Sequence, residues 1–460
     1  MVDTQPTLNE LAAKITELAA AFTNQLHENN ISQATFAADS VSGYEGITGE
    51  MFITRQTLND ALNDMYILSQ GPTESVYNYV HNAMPDASCL NVLNHFDFWA
   101  AVPLDGSASY AEIAKRTNLP LDVAYRVMQH AFTLRFFAET KPGRATSRVR
   151  HTSRSAALVR KPGLKALVHS VLDTSSAPLL LLNEALERYS AGKPDLTDKM
   201  EETAFALLHK GGQFGGRHVN SWDFLENHGE GERRGWRQKY FVEFMTFVKD
   251  IFHLDDIVLK ATDWKAAGKA KVVDVGGSAG NDSFNLARAF PDLSFVVEDM
   301  PKVKPIFEAN LPAELADRVS YVEHDLLQPQ PVEADIYIVK LIMHDYPDAV
   351  ASQILRNLVP KLRPGNRILV IEYIGKFDED ATGEKKKEEE EKMADPPLPR
   401  SVQQMGTATD LRMMALFNAR ERPVEAYNSI IKNADERFEV IKVDADPLTF
   451  FVTIEIMWCS

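Results

Sequence analysis

The stretch VVDVGGSAGNDSFNLARAF, residues 272–290, decides the fold. A β-branched run ends in a turn carrying Gly276, Gly277 and Gly280, and helical spacing begins directly behind it. Glycines in such a turn let the backbone approach a bound molecule, and the N-terminus of the helix offers N–H groups with no intrahelical partner. The dinucleotide fingerprint G-x-G-x-x-G is not met, because Ser278 stands where its second glycine would fall. No P-loop sequence occurs at this turn either. Nicotinamide cofactors and nucleoside triphosphate hydrolysis both lose their main support, although a tight strand-to-helix connection without any ligand uses the same residues.

Working outward, SFVVED (294–299), VSYVEHD (319–325), ADIYIVKLI (334–342) and RILVIEYI (367–374) are further β-branched apolar runs, and helical spacing alternates with them. This order predicts an α/β domain with a doubly wound, mostly parallel sheet. FEVIKV from Phe438 and TFFVTIEIMW from Thr449, with a turn expected at Asp444–Pro447, add an antiparallel C-terminal pair. The second strand ends in Glu298-Asp299, about twenty residues after the turn, where an acidic side chain accepts hydrogen bonds from ribose hydroxyls. The third ends at Asp325 and the fourth runs into KLIMHDYPD, so acidic, basic and imidazole groups face one crevice at the carboxyl ends of the strands.

Upstream, Leu8, Leu11, Ile15, Leu18 and Phe22 share one helical face, which needs a partner within or between subunits. Residues 107–159 read as a short helix, a turn at Asn118–Pro120 and a longer helix, the spacing of a helix-turn-helix or winged-helix module. Twelve Lys or Arg against three Asp or Glu between Ser107 and Lys165 fit DNA phosphates or a solvated structural face, and the enzyme-like domain behind them favours the second. The whole chain, 460 residues with a formal charge of −16, carries no field that draws nucleic acid or anionic lipid. Its two cysteines make no disulfide framework, and no window has the length of a membrane span, so a cytoplasmic protein is expected. Residues 376–400, rich in charge and proline, read as a flexible insertion.

Together the VDVGG turn, VVEDMP, HDLL, the block K-x-x-x-H-D-Y-x-D from Lys340 to Asp348, LVIEYI and DLRMMALFNARERP resemble the S-adenosylmethionine-dependent, metal-independent O-methyltransferases of plant caffeate type and their fungal relatives. The resemblance spans most of the chain. It implies a Rossmann-like class I methyltransferase sheet, S-adenosylmethionine as cofactor, no metal, a homodimer, and a small aromatic or polyketide-type acceptor. It implies residues 1–165 as a helical and winged-helix dimerisation domain, 166–265 as a helical connector contributing to the substrate pocket, and 266–460 as the cofactor domain. It places Gly276, Gly277, Gly280, Asp299, Asp325, Leu326 and Lys340 at the cofactor and makes His344 the base, flanked by Glu372 and Glu421. Where the family has a third consecutive glycine this chain has Ser278, and Tyr346 follows His344-Asp345 where tryptophan is more usual.

Chemistry agrees with that reading. A phenol with a pKa near 10 is mostly protonated at neutral pH, so a base assists its attack on an activated methyl carbon. A carboxylate on the other imidazole nitrogen fixes the tautomer and stabilises the imidazolium. Glu372, inside an apolar strand, needs a donor, and His344 is the expected one. Glu421 lies between Arg420 and Arg422, where an ordinary surface ion pair is an equal alternative, and His344 has a plain reading as a helix-start histidine with Asp345 as the cap. Phe244, Met245, Phe247, Met413, Met414 and Phe417 fit either an apolar acceptor slot or core packing. Two other functions stay open. One is a pericyclase or dehydratase on the methyltransferase fold that polarises a carbonyl with Lys340 or His130; the other is a winged-helix, ligand-sensing DNA-binding regulator.

Overall fold

The computed structural model describes residues 6–144, 146–209, 218, 220–251, 254–373, 398–446 and 451–459. Most of the expected insertion at 376–400 lies outside them. The chain forms two compact units, one of residues 1–174 with 397–404 and one of residues 175–396 with 405–460.

The first unit is helical. Thr7 and Glu10 close a reciprocal capping box that starts the helix Leu8–Glu28, which buries Leu11, Phe22 and Leu26. Phe22 and Leu26 pack on Met51 of the helix Gly49–His95. That second helix breaks at Gly71, whose φ of 73° lies in the left-handed region, just before Pro72, which has no N–H to donate. A second capping box, Ser109 with Glu112, opens the helix Tyr110–Thr117; Asn118 ends it in the left-handed conformation at φ 57°. The helix Leu121–Thr133 follows, then a ribbon of β1 (Phe137–Glu139) and β2 (Val149–His151) paired antiparallel. Trp99 stacks on Phe137 in the buried core of this unit, and its indole N–H donates to Asn94 Oδ1 at 3.0 Å. Much of the basic excess is used internally. Arg116 donates to the Ala101 carbonyl, Arg148 to Glu112 and the Ser107 carbonyl, and Lys165 to Asp97, while Arg135 and Arg154 lie over the rings of Phe36 and Phe136.

The second unit is built on a seven-stranded sheet: β3 (Lys271–Val275), β4 (Ser294–Asp299), β5 (Val319–Glu323), β6 (Ile336–Lys340), β7 (Arg367–Tyr373), β8 (Phe438–Asp446) and β9 (Phe451–Trp458). Their order is β5-β4-β3-β6-β7-β9-β8. The pairs from β5 through β7 are parallel, and β9 runs antiparallel between β7 and β8. The strand expected to stop before Asp444 continues to Asp446, with a register shift between Val440 and Lys442. Both faces are covered, as a parallel sheet requires. Val272, Phe295, Val297, Ile338 and Leu369 point into one core, and Val273, Val275, Tyr337, Val339 and Val370 into the other.

Chain order reverses at β3, which has β4 on one side and β6 on the other, so a crevice opens at the carboxyl ends of these strands. The glycine turn sits there. Gly280, at φ 81°, precedes the helix Asn281–Ala289, and a Cβ on it would come within 2.9 Å of the Phe284 and Phe307 rings. Gly280→Ala is therefore expected to lower unfolding stability by about 2 kcal/mol, from left-handed backbone strain plus ring displacement, as read in a denaturant melt. An unchanged midpoint would contradict this packing.

Candidate active site

The turn and the second strand are laced together. The amides of Gly276 and Gly277 donate to the Glu298 carbonyl at 2.8 and 3.1 Å, and Ser278, itself left-handed at φ 51°, donates its amide to Asp299 Oδ2 at 2.9 Å. Met300 donates its amide to Asp299 Oδ1 at 2.7 Å. Burial raises the Asp299 pKa while these two amides oppose the rise. Each carboxylate oxygen retains a lone pair beyond the one its amide uses, the requirement for accepting ribose hydroxyls. A Cβ on Gly276 would lie 2.5 Å from Ile342 Cδ1 and 3.9 Å from Leu326 Cδ2, which places Leu326 near the turn. Asp325 accepts the Leu327 amide at its own loop and acts on Tyr346 through its charge, as does Asp299.

Lys340, at the end of β6, is engaged with a residue that the sequence reading did not single out. Its Nζ lies 2.7 Å from Asp282 Oδ2, and Lys249 Nζ lies 3.2 Å from Asp282 Oδ1. Below them Asp274 is buried and takes the Ser283 hydroxyl; burial, then the charge of Asp282, push its pKa up to about 7. His130 belongs to the first unit, where its Nε2 sits 2.9 Å from Asp86 Oδ1.

Beyond β6 the chain passes through Leu341, a non-glycine residue at φ 54°, into the turn Met343–Asp345. His344 is buried there. Its Nδ1 lies 2.9 Å from Glu421 Oε1, and its Nε2 lies 3.7 Å from Asp345 Oδ1, beyond hydrogen-bond reach. Burial works against a charged imidazole, but Glu421, Asp345 and Glu372 outweigh it and hold the His344 pKa well above the ordinary histidine value. Burial lifts Asp345 to about 6 and Glu372 to about 7.

Of the two glutamates expected to flank His344, Glu421 is the one hydrogen-bonded to the ring. Glu372, fully buried in β7, accepts the amides of Ile342 and Met343 at 2.9 and 2.6 Å on Oε1, so backbone rather than His344 supplies its donors. Glu421 turns inward to the imidazole with almost no exposure, and the surface ion pair belongs instead to Arg420, whose Nη2 reaches Asp348 at 2.9 Å. Arg422 is also buried. It donates to the carbonyls of Met343 and Tyr346 at 2.6 and 2.5 Å and to Asp348 Oδ1 at 2.8 Å, clamping the histidine turn from both sides. The proposed apolar set divides between two clusters: Phe244 packs on the sheet core, whereas Met413 and Phe417 join Phe205, Phe224 and Trp222. Around Phe224 stand His209, His218 and His228, a grouping without any local motif to announce it.

At the switch point of this sheet a crevice opens with the glycine turn facing an acidic strand end and a carboxylate-held imidazole one strand over. Residues 219–435 match the O-methyltransferase domain family. The chain is 37% identical over 452 residues to O-methyltransferase lcsG of Purpureocillium lilacinum, covering 98% of this chain and 93% of that one. It is 32% identical over 376 residues to O-methyltransferase AMT9 of Alternaria alternata, covering 81% and 79%. Among solved structures, OxaC in complex with SAH and oxaline superposes with a TM-score of 0.71 at 18% identity, covering 98% of each chain. A pericyclic reaction enzyme superposes at 0.67 with 17% identity, covering 98% of this chain and 100% of that one, a likeness of fold alone. The chain belongs to the O-methyltransferase family, and its cofactor is S-adenosylmethionine. No helix among the described residues is long and apolar enough to cross a membrane.

Proposed function

We propose that the enzyme methylates a hydroxyl of an aromatic or polyketide-type secondary metabolite, with His344 as general base. The observation that carries this reading is the Glu421 hydrogen bond to Nδ1, which orients the ring and leaves Nε2 to take the acceptor's proton. Glu421 stabilises the imidazolium so formed, and Glu372 holds the peptide turn that presents it. The bound cofactor supplies a sulfonium-activated methyl group. Gly276, Gly277 and Gly280 allow it close to the backbone, Asp299 accepts from its ribose, and Asp325, Leu326 and Lys340 complete the wall. Residues 166–265 contribute apolar lining for the acceptor, with Phe205, Trp222 and Phe224 beside Phe417. A panel of phenolic and polyketide hydroxyl acceptors tests the acceptor class; turnover confined to amines or carboxylates would defeat it.

Asp299→Asn is expected to weaken S-adenosylhomocysteine binding about tenfold, because a charge-assisted acceptor is lost. Calorimetric titration reads this directly, and an unchanged affinity would remove Asp299 from the site.

Val76, Tyr77, Val80 and Met84 form one exposed stripe on the helix Gly49–His95, with Val80 70% exposed. A second copy of the chain covering this stripe is the homodimer we propose, since an apolar face of this kind rarely stays bare on a monomer. The helix-turn-helix and ribbon then serve as a structural winged-helix module, a reading supported by the internal engagement of Arg116, Arg148 and Lys165. The groups with which a pericyclase would polarise a carbonyl are already engaged, Lys340 with Asp282 and His130 with Asp86.

A further inference from the structure

Arg412 lies half-buried in the helix Arg400–Phe417, and its Nε is withdrawn from water with no hydrogen-bond partner among the described residues. Burial alone lowers its pKa; no carboxylate among those residues opposes the shift. The helix sets where it stands. Thr409, Arg412, Met413 and Leu416 fall at i, i+3, i+4 and i+7, which is one helical face. Met413 and Leu416 on that face pack with Phe205, Phe224 and Trp222, the aromatic cluster assigned to the acceptor. Asp410, two residues away, belongs to the opposite face and accepts the Glu421 amide at 2.8 Å. Asp223, in the helix that carries Phe224, faces His218 at 2.9 Å. Arg422 shows what a buried guanidinium finds elsewhere in this unit: two carbonyls and the carboxylate of Asp348.

A guanidinium keeps its charge at any ordinary pH, and holding it beside apolar rings without an anion is costly. That cost is offset when the molecule filling the slot brings the anion. We propose that the acceptor is a hydroxyaryl carboxylic acid whose carboxylate is held by Arg412 while its hydroxyl is presented to His344. A carboxylate is the anion that the guanidinium fork matches, through two parallel N–H···O bonds, and a flat ring between carboxylate and hydroxyl suits aromatic walls. The carboxylate only anchors; the methyl group goes to the hydroxyl oxygen. The inference rests on methylation of an aromatic hydroxyl beside this cluster, and it narrows the acceptor to acids.

Steady-state turnover of phenolic acids and of their methyl esters, each with the hydroxyl free, tests this in wild type, Arg412→Met and Arg412→Lys. The S-adenosylhomocysteine formed and the position of the new methyl ether are followed together. Wild type is expected to prefer the acid by about thirtyfold in kcat/KM, mostly through KM, the effect of one charge-assisted bidentate contact. Arg412→Met should bring the ratio to within about threefold of unity, and Arg412→Lys should keep part of it, since an ammonium retains the charge without the fork. An unchanged ratio in Arg412→Met, or a loss equal for acid and ester, would mark the arginine as a structural residue and overturn the proposal. Should Arg412→Met fold poorly, wild type decides by itself: no preference for acid over ester across the panel overturns the anchor. Methyl transfer to neither set would instead defeat the aromatic-hydroxyl reading, and this inference with it.

Discussion

His344→Gln is expected to lower the rate of methyl transfer by about 10²- to 10⁴-fold, the usual worth of a positioned general base. S-adenosylhomocysteine affinity should stay within about twofold, because a residue that acts on the transition state contributes little to ground-state binding. Glutamine keeps a polar group of similar reach but takes up no proton. The residual rate of the variant should climb with pH toward the acceptor's own pKa, near 10 for a phenol, as the phenolate forms without assistance. Rapid-quench turnover across that range checks both features. A wild-type rate in the variant would remove His344 from catalysis.

Glu421→Gln is expected to cost about 10²-fold in kcat and to shift the pH profile in a direction that identifies its partner. In the wild type, burial opposes the imidazolium while Glu421, Asp345 and Glu372 stabilise it, so His344 keeps its proton to higher pH than an ordinary histidine. The base form appears only above that raised pKa, and activity rises as the proton leaves. Removing the Glu421 charge removes the largest opposing stabilisation, the His344 pKa falls, and the ascending limb of kcat/KM moves to lower pH. The neighbouring carboxyls titrate together with the ring, so the limb reports the cluster. Glu372→Gln should behave differently. Its amide carbonyl still accepts from Ile342 and Met343, so the limb moves less while the turn loses some of its anchoring. Equal limb shifts in the two variants would contradict the division of labour between the glutamates.

The parallel sheet and its glycine turn were legible because strand, turn and helix announce themselves locally: Val272 to Val275 are β-branched around Asp274, and Leu286 follows at helical spacing. His344 was legible from its position behind a strand that ends at the crevice. The ranking of the glutamates was not. It depends on the register of β6 beside β7, which sets Lys340 opposite Ile371 and brings the amides following β6 onto Glu372. Glu421, between two arginines, read equally as a surface ion pair and as a partner of His344, and nothing local showed that its segment turns in, with its amide donating to Asp410 and Arg422 buried under the histidine turn. Lys249 was hidden for a similar reason. It carries no motif of its own in FMTFVK, and only the packing of its helix brings its Nζ within 3.2 Å of Asp282 Oδ1. Contacts between distant segments carry no local sequence signal, and the missed parts of the site are of this kind.

Central to this account is transfer of a methyl group, and isotope balance tests it most directly. The wild-type enzyme, supplied with S-adenosylmethionine carrying a labelled methyl group and an acceptor from the phenolic and polyketide panel, should give a product heavier by one labelled methyl. S-adenosylhomocysteine should form in equal amount. Intact labelled cofactor recovered beside an acceptor that has isomerised or lost water would contradict it.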